Sequence, residues 1–263
     1  MPVQAGLPDE AVAAGRWARR VAVGRQGVRQ LIYLHGFGSS PDSTKARFFA
    51  ERLGPLGVAT LCPDLNQPDF AALTTTRMVE HVERLMAELP PGPVALLGSS
   101  LGGFAAYHVA ARQAARKARG ARPRCVVDRL VLLAPALDFG RSGFTGIDET
   151  ALAEWRRTDQ LEVMHWALNE KRFVRYALYA DAQRYDSFAE RFTTPILIFQ
   201  GRHDTVVDPA MVQRFAYGRP AASLRLFDDD HLLAAHLDVM WTETASFLGL
   251  PGAAPDMSGE TRG

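Results

Sequence analysis

Lysine is scarce in this chain: Lys45, Lys117 and Lys171 are the only three, and every other basic residue is arginine. The scarcity is a compositional bias and leaves the charge nearly balanced. With 30 basic and 29 acidic residues the formal net charge is +1. No global field therefore draws in nucleic acid or an anionic membrane. Cysteine is scarcer still. Cys62 and Cys125 lie far apart, match no metal-ligand spacing, and sit in or beside apolar runs where a free thiol behaves as a small hydrophobe. A reduced pair, as in a cytoplasmic protein, is the expectation. Long hydrophobic runs are missing as well. No stretch approaches the roughly 18–20 apolar residues that span a bilayer. Met1 to Arg20 holds Pro2, Pro8, Asp9, Glu10 and three arginines in place of an apolar signal region. These features predict a soluble cytoplasmic protein. No internal repeat is visible, and the length suits one α/β domain over residues 1–250. The small, polar segment 251–263 reads as a disordered tail.

What the chain does have is a rhythm. Short apolar runs at Leu31–Leu34, Val58–Leu61, Val94–Leu97, Leu130–Ala134, Ile196–Phe199 and Leu224–Phe227 alternate with helical patterns. The helices are expected at Lys45–Leu53, Thr75–Leu89, Gly103–Arg119 and Ala210–Tyr217, with a weaker antiparallel strand at Arg19–Val23. Continuous rather than alternating apolar runs are the mark of strands covered on both faces. The expected architecture is a doubly wound, mostly parallel sheet. From Gly140 to Phe192 the rhythm breaks. The stretch is rich in aromatics, including Phe144, Trp155, Trp166, Phe173, Tyr176 and Tyr179, and its pattern reads as a helical cap inserted at about 140–192.

Four local signals carry chemistry. The first is Gly98-Ser99-Ser100-Leu101-Gly102. A G-x-S-x-G pattern arises by chance in roughly one chain in ten of this composition and length. Here, however, it joins a predicted strand directly to a predicted helix, the setting of a nucleophile elbow. That turn strains the backbone and leaves no room for side chains at 98 and 102, which is the reason for glycine there. Ser100 is at the tip and Ser99 is the rival. The second signal is an apolar strand running into His35-Gly36-Phe37-Gly38. The loop after this strand and the residue after the nucleophile supply the oxyanion hole of such a site, which assigns the amides of Phe37 and Leu101. His35 reads as a residue that shapes the loop. The third is Gln200-Gly201-Arg202-His203-Asp204, where a buried strand ends in an acid. Asp208 is the alternative, but Pro209 after it suits the start of a helix. The fourth is Asp228-Asp229-Asp230-His231, after the last strand, with His231 as general base.

Ser100, Asp204 and His231 occur in the order Ser…Asp…His, each after its own strand, as the α/β-hydrolase fold requires. The expected chemistry is acyl transfer to water by a triad, with no metal and no organic cofactor. A thioesterase, an acyltransferase and a non-catalytic binding protein on the same fold are the alternatives. Phe37, Trp155 and Trp166 are candidate acyl contacts, although the aromatics of 140–192 also suit the plainer task of gluing the cap down. The basic run Arg112, Arg116, Lys117, Arg119, Arg122 and Arg124 reads as a solvated helix end, and Asp228–Asp230 as a polar loop. The substrate partner is a small ester or thioester, and nothing in the sequence sets the oligomeric state.

A resemblance can be added to these readings. Leu34-His35-Gly36-Phe37-Gly38-Ser39-Ser40-Pro41-Asp42-Ser43-Thr44-Lys45-Ala46 resembles the opening of the YqiA/YcfP-type bacterial esterases, with its H-G-F-x-S-S-P-x-S-x-K-A pattern. Gly98-Ser99-Ser100-Leu101-Gly102-Gly103 is similar to their elbow. The likeness spans about residues 30–134 and 195–250. It implies a cytoplasmic carboxylic-ester hydrolase, with acyl thioesters as a further substrate class and the triad at Ser100, Asp204 and His231. An N-terminal extension and the long segment 140–192 set this chain apart from the smaller members.

Overall fold

Each apolar run becomes a strand of one sheet in the computed structural model, which describes residues 30–142 and 147–251. The strands are β1 (Gln30–Leu34), β2 (Ala59–Leu61), β3 (Gly92–Ser99), β4 (Cys125–Leu133), β7 (Ile196–Gly201) and β8 (Ala222–Phe227). They pair in the order β2-β1-β3-β4-β7-β8, and every pairing is parallel. Successive side chains point to opposite faces. Ile32, Leu34, Val94, Leu96, Leu130, Leu132, Ile196 and Ile198 enter one core. Leu31, Tyr33, Ala95, Leu97, Val131, Leu133, Leu197 and Phe199 enter the other. The first face is covered by α2 (Thr75–Glu88), α3 (Leu101–Ala118) and α7 (Pro209–Tyr217), through residues such as Val82, Phe104 and Phe215. The second is covered by α1 (Thr44–Leu53) and α8 (Leu237–Phe247), through Phe49 and Met240.

Strand β4 begins five residues before the expected Leu130. Asp128 and Arg129 interrupt its apolar run, but the pairing passes from Val94↔Val127 to Ala95↔Arg129, so a bulge at Asp128 absorbs the break. The proposed strand at Arg19–Val23 and all but the first residue of the tail lie outside the described residues.

The insertion is more varied than a helical cap. Helices α4 (Phe139–Ser142), α5 (Glu149–Thr158) and α6 (Ala177–Ala182) are present, but β5 (Leu161–His165) and β6 (Glu170–Val174) form an antiparallel hairpin at its centre. His165, which reads as helical in sequence, ends a strand. The hairpin is buried only at His165 and Val174, so no clean inside–outside alternation betrays it. The insertion is fastened to the sheet domain at several places, among them Tyr107 and Arg219 on the carbonyls of Ser187 and Glu190. Asp181 accepts from the Thr76 amide (2.6 Å) and hydroxyl (2.8 Å) at the start of α2. Arg175 N–H donates to Ala71 O (2.9 Å), and Ala167 N–H donates to Gly38 O (3.1 Å).

Candidate active site

Chain order and strand order together locate the site. From β1 the chain steps outward to β2, then crosses back to β3 and continues the other way. The reversal leaves a crevice at the carboxyl ends of β1 and β3, where open α/β sheets bind ligands. The His35–Gly38 loop follows one of those strands and Ser100 follows the other.

Ser100 takes φ 53° and ψ −118°, a conformation an L-residue adopts only under constraint. Its carbonyl accepts from Gly103 N (2.9 Å), Phe104 N (3.1 Å) and Ala136 N (3.2 Å), and its amide donates to Leu133 O (2.9 Å). The flanking glycines are required by close approach. A Cβ on Gly98 would lie 2.4 Å from Gly102 O, and one on Gly102 would lie 2.1 Å from Leu34 O. Gly36 passes so near that its Cβ would be 3.4 Å from Ser100 Cβ. Thus the H-G-F-G loop lies against the serine. His35 is buried and spends both ring nitrogens on this loop and its neighbour. Leu65 N–H donates to Nε2 (3.0 Å), which leaves the proton of a neutral ring on Nδ1, facing Gly36 O at 2.9 Å.

The acid and the base meet from loops 27 residues apart. Asp204 Oδ2 stands 2.8 Å from His231 Nδ1. Its other oxygen accepts from Val206 N–H and Val207 N–H, each at 2.8 Å. Burial alone would raise the Asp204 carboxyl. Instead His231 and the amides of Val207 and Val206 outweigh it and hold the group below the ordinary carboxylate value. Asp208 has a separate task, accepting from Ala210 N–H (2.9 Å) as the N-cap of α7 with Pro209 behind it. Among the described residues, no protein group takes the Ser100 hydroxyl or His231 Nε2.

Two further polar residues support this pair: Gln200, to which the sequence reading gave no role, and Asp229, which it read as part of a polar loop. Gln200, wholly buried at the end of β7, donates from Nε2 to Asp204 Oδ2 (2.8 Å). A polar side chain closing the apolar run Ile196–Phe199 was the available signal. Asp229 builds the loop that carries His231, accepting from Asp230 N (2.8 Å), Ala235 N (3.1 Å) and His236 Nδ1 (2.8 Å). Of the other two acids of that run, Asp230 accepts from Leu232 N (2.7 Å) and Asp228 faces exposed His203 (2.5 Å). Among the described residues no cluster of three or more His, Cys, Asp and Glu is arranged to hold a metal ion.

The three aromatic candidates separate. Phe37 packs on Phe70 (5.3 Å between centroids), and Phe70 on His165 of the hairpin (4.7 Å). Trp166 begins the hairpin turn and is 70% exposed, with its backbone beside Gly38. Trp155 is only 1% exposed. Its Nε1 donates to Val174 O (3.0 Å) and its ring packs on Tyr176 and Tyr179, so its surroundings are those of a core residue of the insertion. Both cysteines are free thiols. The basic run at the end of α3 is partly neutralised, with Arg112 and Arg116 both reaching Glu83.

A parallel sheet of this order, helices on both faces, and a serine on a strained strand–helix turn define the α/β-hydrolase fold. The family model described as "Uncharacterised protein family (UPF0227)" matches residues 30–242, and the chain belongs to that family. The likeness to the YqiA/YcfP-type esterases points the same way. No curated protein matches the sequence. Among solved structures, a presumed hydrolase of Agrobacterium vitis S4 is 25% identical, with a TM-score of 0.73 over 83% of this chain and 87% of its own. Est1E of Butyrivibrio proteoclasticus, solved with ferulic acid bound, is 21% identical with a TM-score of 0.68, covering 84% of this chain and 88% of its own. The monoacylglycerol lipase of Paleococcus ferrophilus is 16% identical with a TM-score of 0.64, covering 83% and 93%. No helix among the described residues is long and apolar enough to cross a membrane.

Proposed function

We propose that the chain is a serine hydrolase that cleaves small carboxylic esters through an acyl-enzyme. The observation that carries the proposal is the pairing of buried Asp204 with His231 at 2.8 Å, on loops at the same sheet edge as the strained Ser100 turn. Ser100 Oγ attacks the ester carbonyl while His231 Nε2 takes the hydroxyl proton. Asp204 keeps the ring proton on Nδ1 and balances the imidazolium. The amides of Phe37 and Leu101 receive the developing oxyanion. Leu101 is the first residue of α3, where amides have no intrahelical acceptor, and the Phe37 loop runs against Ser100. Collapse expels the alcohol with the proton from His231, and a water then attacks the acyl-enzyme by the same route. Phe37 and Trp166 are proposed to flank the acyl group, while Trp155 acts through the packing of the insertion. The esterase and lipase among the structural neighbours agree with this chemistry. A cytoplasmic setting suits the free thiols.

The test is intact-mass labelling with a fluorophosphonate. A single adduct is expected on the wild type and on Ser99→Ala, and none on Ser100→Ala. A wild type that takes no adduct would overturn the proposal. Thioesters use the same residues, so a matched panel of oxygen esters and thioesters ranks the two substrate classes.

A further inference from the structure

We propose that Lys45 is a positioning residue of this site: its ammonium pins the loop that carries His231 and supplies positive charge beside the imidazole. The inference rests on the triad reading above. Lys45 Nζ donates to Leu232 O at 2.8 Å, joining α1 to the residue after His231 across 187 positions of sequence. Leu232 has little else to hold it, since its side chain is 61% exposed. Its amide donates to Asp230 Oδ1 (2.7 Å), so the peptides on either side of Leu232 are gripped by Asp230 and by Lys45. The next residue, Leu233, takes a left-handed φ of 54° with its side chain fully buried, a turn that needs such restraint.

The placement of Lys45 makes little sense for helix stability. It lies in the first turn of α1, which contains no acidic residue, and a cation there opposes the helix dipole. Burial also pulls its pKa down to about 8, against the attraction of Asp204, Asp230 and Asp229. The charged groups on and against the loop that carries His231 include Asp204 from the β7–α7 loop, Asp229 and Asp230 from the loop itself, His236 before α8, and Lys45 from α1. The His203–Asp228 pair lies at the exposed rim, and the Arg52–Asp238 pair bridges α1 to α8. Lys45 is the cation of this group that bonds directly to the loop carrying His231.

The experiment measures kcat and KM against pH for hydrolysis of p-nitrophenyl acetate by wild type, Lys45→Met, Lys45→Gln and Lys45→Arg, with melting temperatures alongside. Removing one nearby positive charge favours the imidazolium. The acid limb of kcat/KM should therefore move up by roughly half a unit to one unit in Lys45→Met and Lys45→Gln. Loosening the loop should lower kcat by about 10- to 100-fold in Lys45→Met, with KM little changed. Lys45→Gln, which keeps a donor for Leu232 O, should fall between, and Lys45→Arg should keep the acid limb in place and recover most of kcat. An unmoved acid limb in both uncharged variants would overturn the inference, as would equal losses in all three variants that follow melting temperature alone. A wild type inert to fluorophosphonate would sink the triad and this inference together. A labelled wild type with unshifted variants would sink this inference only.

Discussion

Asparagine at position 204 removes one charge and changes almost no volume, yet the structure makes it one of the most damaging substitutions available. The two carboxylate oxygens accept from Val206, Val207 and Gln200 and face His231 Nδ1, each at 2.8 Å. Asparagine retains a single oxygen. With that oxygen under the two backbone amides, its NH2 points at Gln200 Nε2, donor against donor. The same NH2 obliges His231 Nδ1 to accept, which moves the ring proton to Nε2, the nitrogen that should receive the Ser100 proton. The wrong tautomer is worth on the order of 10³–10⁴ in kcat/KM. Trading charge-assisted bonds for neutral ones, with one buried donor unpaired, costs roughly 2–4 kcal/mol. At about 2–4 °C per kcal/mol, melting falls by about 5–15 °C. Because the native carboxyl is held below its ordinary value, its contribution to stability is present above the unfolded pKa and fades as pH falls through the folded one. The variant should lose that part of the acid sensitivity. Asp208→Asn is the control. Asparagine caps a helix about as well as aspartate, so activity should stay at the wild-type level and stability within about 0.5 kcal/mol. Ester hydrolysis, adduct formation and thermal melts report all of this. An Asp204→Asn enzyme within tenfold of wild type, or an Asp208→Asn enzyme that is the crippled one, would refute the reasoning.

Gly102→Ala would put a methyl carbon 2.1 Å from Leu34 O, so the start of α3 must shift, with melting lowered by a few degrees and fluorophosphonate labelling nearly abolished. Gly54→Ala, in open space with φ −55°, should match wild type in both assays. Trp155→Ala should cost about 3–5 kcal/mol in urea melts, as expected for a large buried side chain. Trp166→Ala should leave the melt unchanged but alter the ratio of kcat/KM for long and short acyl esters by about tenfold; an unchanged ratio removes it from the acyl site. Finally, burial pulls the His108 pKa down to about 3, whereas the unfolded chain takes up that proton near pH 6.5. Stability should therefore decline as pH falls through that interval. His108→Gln should flatten the urea-midpoint profile, and an unaltered slope would show that His108 does not contribute.

Much of this protein was legible residue by residue. The sheet strands stand out because a strand covered on both faces must be apolar at consecutive positions, as Leu31–Leu34 and Ile196–Phe199 are. The turn at Ser100 was legible because its glycines are demanded by neighbours only a few positions away or by the adjoining strand. The hairpin of the insertion was not. Its residues face water on most sides, so neither a continuous apolar run nor a clean alternation marks the two strands.

By itself, then, the sequence determined the parallel sheet, the positions of the loops at its carboxyl edge, and the short list of side chains able to do chemistry there. These follow from local constraints: periodic burial, steric room at a turn, and residue types that cap or break helices. Only the tertiary structure decided which candidate acid meets His231, that Gln200 and Asp229 brace that meeting, that Lys45 reaches Leu232, and that Trp155 is core while Trp166 is open to solvent. Those outcomes depend on approach distances between segments tens to nearly two hundred residues apart. Neither the period nor the composition of any one segment encodes such distances, because they are set by how helices and insertion settle on the two faces of the sheet.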